Sequence, residues 1–227
     1  MNGYTFKVKT KQDMINAVEK YGFLPFFAGD IPGFSIEEHV TADAWYSADG
    51  TWKVWEWKGP VIRDLGCAYG KFFDKKSGFI SKEWFPDFAN YRRDGYDFDA
   101  RYDDGLAYYG DKELFELVDK NGPIVSKLLK SKGNYRKGGK KGFDTLITRL
   151  QSQCYIIISD FVYPIDKNGN QSGWGLAEYS TPEKLFGEDF KQTVYQRSPE
   201  ESYQRIFEHI RSLFPDVNEN IIKKYLG

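Results

Sequence analysis

The chain has 227 residues, enough for one large domain or two small ones with real cores, and its 32 basic and 33 acidic side chains leave a formal net charge of −1. Aromatic residues make up 18% of it, which excludes a disordered composition. The N-terminus carries no apolar signal core and no run approaches a membrane span, so the expected location is cytoplasmic, with no membrane partner.

Cys67 and Cys154 lie in different segments without metal-ligand spacing and read as reduced structural residues; His39 and His209 are the only histidines. No metal and no cofactor is therefore expected.

In chain order, Tyr4 to Lys9 alternates like a short strand. Thr10 to Asp13 opens a helix whose Met14, Ile15, Ala17 and Val18 face inward, and Gly22 ends it. Phe23 to Phe27 reads as an apolar, proline-interrupted loop, and Ser35-Ile-Glu-Glu38 as the capping box of a second short helix. Trp45-Tyr46, the Asp49-Gly50 turn, Trp52, Trp55 and Trp57 form the densest aromatic cluster. On a hairpin these rings can stack unpaired bases, although a core role is the stronger expectation for so much apolar area. Glu56, between Trp55 and Trp57, is the one acid that burial among the rings would tune for proton transfer, which makes it the weak candidate for a general base.

Ala68 to Phe73 and Gly78 to Ser81 read as paired strands around Asp74 to Ser77, followed by a helix over Glu83 to Tyr91. Arg92 to Gly105 is acidic and glycine-punctuated, the composition of a linker.

The next segment predicts three helices and a hairpin: Asp111 to Lys120, Ile124 to Lys132 after Pro123, a third with Phe143, Leu146, Ile147 and Leu150 on one face, then strands over Cys154 to Tyr163 and Ser172 to Tyr179 around an Asp166-Lys-Asn-Gly169 turn. This is the order of a winged helix-turn-helix. Charge supports a nucleic-acid role. Residues 120–149 hold nine basic residues against the single acid Asp144, a local +8, whereas residues 92–119 hold four basic residues against nine acids, a local −5. Arg136, Lys137, Lys140, Lys141 and Arg149 can neutralise phosphates. Thr145, Thr148, Arg149 and Ser152 can reach base edges or sugars, and wing residues Lys167 and Asn168 can touch backbone. The competing readings are a solvated helix face, or acids such as Asp97, Asp99, Asp103 and Asp104 pairing with Lys137, Lys140 or Arg149 in cis.

Past the wing, a short helix begins at Thr181-Pro182. Ser198 to Glu201 caps a helix with the stripe Tyr203, Ile206, Phe207, Ile210 and Phe214, and Asp216 to Glu219 caps a last one carrying Ile221, Ile222, Tyr225 and Leu226. These two amphipathic helices dock on the N-terminal unit, on a second copy in a homodimer or on a protein partner.

The expected fold class is thus α+β: an aromatic-rich unit over residues 1–105, the winged helix-turn-helix over 106–182 and C-terminal helices over 183–227. Trp55-x-Trp57-Lys, Tyr69-Gly-Lys71-Phe-Phe, Phe79-Ile-Ser81, Glu83-Trp84-Phe85-Pro86, Phe143-Asp144, Leu150-Gln151 and Gly173-Trp-Gly175, in this order, resemble the AlkZ-related proteins. Those are relatives of the YcaQ and AlkZ crosslink-repair DNA glycosylases, which are built from winged helices. The resemblance implies DNA as partner, either bound without chemistry or as the substrate of a glycosylase-like hydrolase acting on damaged or crosslinked bases; a protein-interaction module is the third reading. The glycosylases carry a Gln-x-Gln or Gln-x-Asp pair on a strand near a wing. Here Gln151-Ser-Gln153 falls at the end of the third helix, so the catalytic role is not carried over.

Overall fold

The structure, a computed structural model, describes residues 6–45, 53–169 and 171–226. The first helix, α1 (Lys11–Tyr21), opens at Thr10 as expected, and does so through a capping box: Asp13 N donates to Thr10 Oγ1, and Thr10 N donates to the Asp13 carboxylate at 2.9 Å. Met14, Ile15, Ala17 and Val18 are buried on one face. Of the expected first strand, the described part makes a single bridge, Val8 to Val40.

Two local expectations change because the backbone finds partners across the chain. Phe23–Pro25 forms β1, an edge strand where the missing proline N–H is tolerated, rather than a loop. Glu38 N donates to Ser35 Oγ and Ser35 Oγ to the Glu38 carboxylate, but Ile36 N and Glu37 N donate to Pro25 and Phe26 carbonyls, which holds this segment as a turn instead of a helix. After the short α2 (Ala42–Trp45), Trp55 and Trp57 lie on a helix, α3 (Lys53–Leu65), and not on a hairpin; Tyr46, the Asp49-Gly50 turn and Trp52 fall outside the described residues. Helical period decides this, since Val54, Lys58, Val61 and Ile62 are buried at i, i+4, i+7 and i+8.

The strands β2 (Ala68–Phe73) and β3 (Lys76–Ile80) close through a two-residue turn, Asp74-Lys75, with φ of 45° and 63°. Two helices follow, α4 (Phe85–Arg93) and α5 (Phe98–Asp103). The latter occupies the acidic stretch expected as a linker: Asp97 caps it, and its buried Phe98 stacks on Phe115 with ring centroids 4.1 Å apart. A hydrophobic residue able to stack on a neighbouring helix is what converts this polar segment into structure.

Then come α6 (Tyr109–Asn121), β4 (Ile124–Val125), α7 (Ser126–Lys132), α8 (Phe143–Ser152), and a hairpin of β5 (Ile157–Val162) and β6 (Leu176–Ser180). The second helix is shorter than its apolar pattern implies. Ile124 and Val125 pair with Tyr179 and Glu178 of β6, so they leave the helix for the sheet, and Leu128 stays exposed. The third helix agrees closely, with Phe143, Ile147 and Leu150 buried.

Six strands form one antiparallel sheet in the order β1-β3-β2-β5-β6-β4. Its two halves join at Tyr69 of β2 opposite Ile158 of β5. Gly59 of α3 lets that helix press on β5, because a Cβ there would stand 2.6 Å from the Asp160 carboxylate. The chain ends with α9 (Pro182–Phe186), α10 (Glu188–Thr193), α11 (Pro199–Leu213) and α12 (Glu219–Leu226). Buried Ile206, Phe207, Ile210 and Ile222 join the same core as α1 and β1, and Ser202 Oγ donates to Asp87 of α4 at 3.0 Å. The apolar faces held ready for a second copy or a protein partner are therefore covered by the chain's own N-terminal unit. No helix among the described residues is long and apolar enough to cross a membrane.

Candidate nucleic-acid interface

Helix α8 sits between two kinds of surroundings. Its inner face is fixed by Phe143, Ile147 and Leu150, and by Gln151, which is buried. Gln151 Nε2 donates to Ile147 O at 3.1 Å, while its Oε1 accepts from Lys71 N of β2 at 3.3 Å. Ser152 Oγ donates to Lys71 O at 3.0 Å. These bonds clamp the end of α8 to the edge of β2. One member of the Gln-x-Gln pair is thereby used structurally, and the other, Gln153, looks into a cleft.

That cleft has a volume of about 740 Å³ and runs along the outer face of α8. Thr145, Thr148 and Ser152 form one wall; Lys71, Lys75 and Arg92, from β2, the hairpin turn and α4, form the other. Lys71 Nζ donates to Thr148 Oγ1 at 3.1 Å across it, and Arg92 donates to Phe72 O at 3.3 Å. Among the described residues none of these three cations has a carboxylate within ion-pair distance. Asp144 at one end is engaged by Lys130 at 3.3 Å.

The basic residues singled out from the sequence divide into two groups. Arg136, Lys137 and Lys141, in the turn ahead of α8, are exposed and make no ion pair among the described residues; Thr145 is exposed beside them. Lys167 and Asn168 are exposed at the hairpin tip, where Asn168 N donates to the Asp166 carboxylate. Lys140 and Arg149 are partnered. Lys140 Nζ bonds both oxygens of Glu113 at 2.8 and 2.9 Å, and this pairing raises its pKa. Arg149 holds the buried Asp111 through Nε and Nη2 at 2.8 to 3.1 Å and lies over the Tyr108 ring at 4.8 Å. Acids do pair with the basic segment in cis, but they come from α6. Asp97 instead caps α5, and Asp104 accepts from Tyr96.

Glu56 is exposed on α3, without the burial on which its candidacy as a base rested. Helical spacing turns the next but one residue inward instead: Lys58 is 9% exposed, with its ammonium 4.5 Å from the Trp55 ring centroid and 4.4 Å from that of Phe161. Burial pushes its pKa down to about 8. A period-3.6 reading of residues 54–62 would have found it; an alternating reading could not. Lys71, Lys75 and Arg92 were missed because they are scattered over 22 positions of an unremarkable stretch and meet only in the fold. Both cysteines are buried free thiols, and their burial raises each pKa to about 12, outside the reactive range.

A family model described as AlkZ related matches residues 8–227. No curated protein and no solved structure matches the chain.

Proposed function

The chain belongs to the AlkZ-related family, and from that premise we propose that it is a winged-helix, DNA-binding protein with a repair-associated role, in which α8 faces a groove and the β5–β6 hairpin acts as the wing. Residues 106–182 form the contacting unit. The observation that carries this reading is the cluster of Arg136, Lys137, Lys141 and Thr145, all exposed, at the start of a helix whose opposite face is locked into the core. Exposed cations with no partner in cis lose little on meeting phosphate, and release of counterions then drives binding. Thr148 and Ser152 continue the same face with hydroxyls suited to sugar or base contact.

Titration of a labelled duplex by fluorescence anisotropy between about 50 and 200 mM salt tests this. The Lys137→Ala/Lys141→Ala variant should bind more weakly and reduce the log–log salt slope by about two, roughly one per lost phosphate contact. Absence of binding by the unmodified protein at the lowest salt sinks the reading and leaves a protein-interaction module, which the Lys140–Glu113 and Arg149–Asp111 pairs favour.

A second reading, a glycosylase-like hydrolase, draws on one observation: the Gln153 side chain lines the cleft beside Arg149 and Thr148, where an amide can orient water toward an extruded base. Release of alkylated bases from duplex DNA, abolished by Gln153→Ala with binding intact, would support it. No base release at saturating protein removes it.

A further inference from the structure

We infer that Lys71, Lys75 and Arg92 form a second phosphate-binding wall, so that the β2–β3 hairpin and α4 grip the backbone of the same duplex whose groove α8 faces. This rests on the DNA-binding reading above and extends it to residues outside 106–182.

The cations belong to three different elements yet line one cleft of about 740 Å³, with the outer face of α8 opposite. Among the described residues they lack carboxylate partners, whereas Arg149, which lines the same cleft, is held by Asp111, and Lys140, outside it, by Glu113. Convergent, unneutralised cations beside a row of hydroxyls, with Lys71 already bonded to Thr148 across the cleft, suit a phosphodiester strand lying along its mouth.

The hairpin tip adds an independent sign. With φ of 45° and 63°, Asp74-Lys75 occupies the two positions of a turn in which both residues are left-handed, and the second of these strongly favours glycine. Lys75 is exposed, and its side chain makes no hydrogen bond or ion pair among the described residues. A lysine held in glycine's conformation, with nothing in the fold to offset the strain, points to a ligand outside the fold. At the rim of this cleft that ligand is an anion, and the cleft's length along a helix suits a continuous polyanion better than a single small one.

The substitution Lys75→Gly separates binding from folding, because it relieves the turn while removing the charge. It should melt at or above the temperature of the unmodified protein, bind a duplex of about 20 base pairs roughly threefold more weakly at 50 mM salt, and lower the salt slope by about one. Lys75→Arg should keep both affinity and slope. Arg92→Gln should act in the same direction as Lys75→Gly, with thermal melting as the check on its fold.

Unchanged affinity and slope in Lys75→Gly, alongside weakened binding by Lys137→Ala/Lys141→Ala, would overturn the second wall and leave the DNA-binding reading standing. No duplex binding by the unmodified protein would overturn both. If a polyglutamate peptide displaces the duplex as well as unlabelled duplex does, and loses that ability against Lys75→Gly, the wall recognises acidic protein and the assignment to DNA falls.

Discussion

Lys58 shows how much a single residue's environment is set by period. It sits one helical turn after Val54 and just before the glycine that admits β5, so its amine is carried under the Trp55, Phe26 and Phe161 rings. Two effects compete there. Moving its pKa from the usual 10.5 to about 8 corresponds to about 3 kcal/mol against the charged form, while each close ring face returns about 1–2 kcal/mol to a desolvated cation. The unfolded chain binds more protons than the folded one between pH 8 and 10.5, so this residue makes stability rise with pH across that window. Lys58→Met should therefore be more stable than the unmodified protein by about 1 kcal/mol at pH 7, with the advantage shrinking as pH passes 8. Urea denaturation at a series of pH values measures it; a difference independent of pH would mean that the rings hold the ammonium charged throughout.

At the scale of elements, α6 and α8 are tied by the Arg149–Asp111 fork, and this changes what Arg149 is for. Asp111 is 3% exposed and also accepts from Tyr108 N at the start of α6, where the helix dipole favours an anion. Removing the guanidinium leaves that carboxylate buried and unpaired. Breaking such pairs costs about 3–5 kcal/mol when both partners are buried; Arg149 is about a third exposed, so Arg149→Ala should cost about 2–3 kcal/mol. Lys141→Ala, on an exposed side chain that makes no ion pair among the described residues, should stay within about 0.5 kcal/mol. Chemical denaturation of the two variants side by side checks this. Equal stabilities would return Arg149 to the set of free cations proposed to contact DNA. Charge counting placed both residues in one basic block because it sees residues 120–149 and not the Asp111 that α6 brings to Arg149.

For the whole molecule, the decisive feature is that one sheet runs through both halves of the chain. Tyr69 meets Ile158, α8 is bonded to β2 through Gln151 and Ser152, and α11 returns to cover α4. Arg93, fully buried, adds a clasp: from α4 it reaches Glu183 of α9 at 2.7 Å, Cys154 O at 2.8 Å and Tyr195 Oη at 3.1 Å. With so many buried links between residues distant in sequence, tryptophan fluorescence and far-UV circular dichroism should report a single coincident thermal transition. Two separated transitions would show that residues 106–182 melt independently.

Sequence alone determined the features that depend on neighbours within a turn or two. The helix start at Thr10, the Ser198 capping box, the buried faces of α1 and α8, and the order of helices before the β5–β6 hairpin follow from spacing that the backbone's own periods impose. Short aromatic motifs in a consistent order also sufficed for the family. Only the tertiary structure decided where partners distant in the chain meet. It drew Ile124-Val125 out of a helix into the sheet, turned Phe23–Pro25 into a strand, folded the acidic stretch into α5, buried Lys58 and exposed Glu56. It also spent Arg149 and Lys140 on α6 and left Lys71, Lys75 and Arg92 facing α8. The reason is common to all of these: hydrogen-bond and ion-pair partners across the fold outweigh local propensities worth about 1 kcal/mol or less, and such partners cannot be read from spacing along the chain.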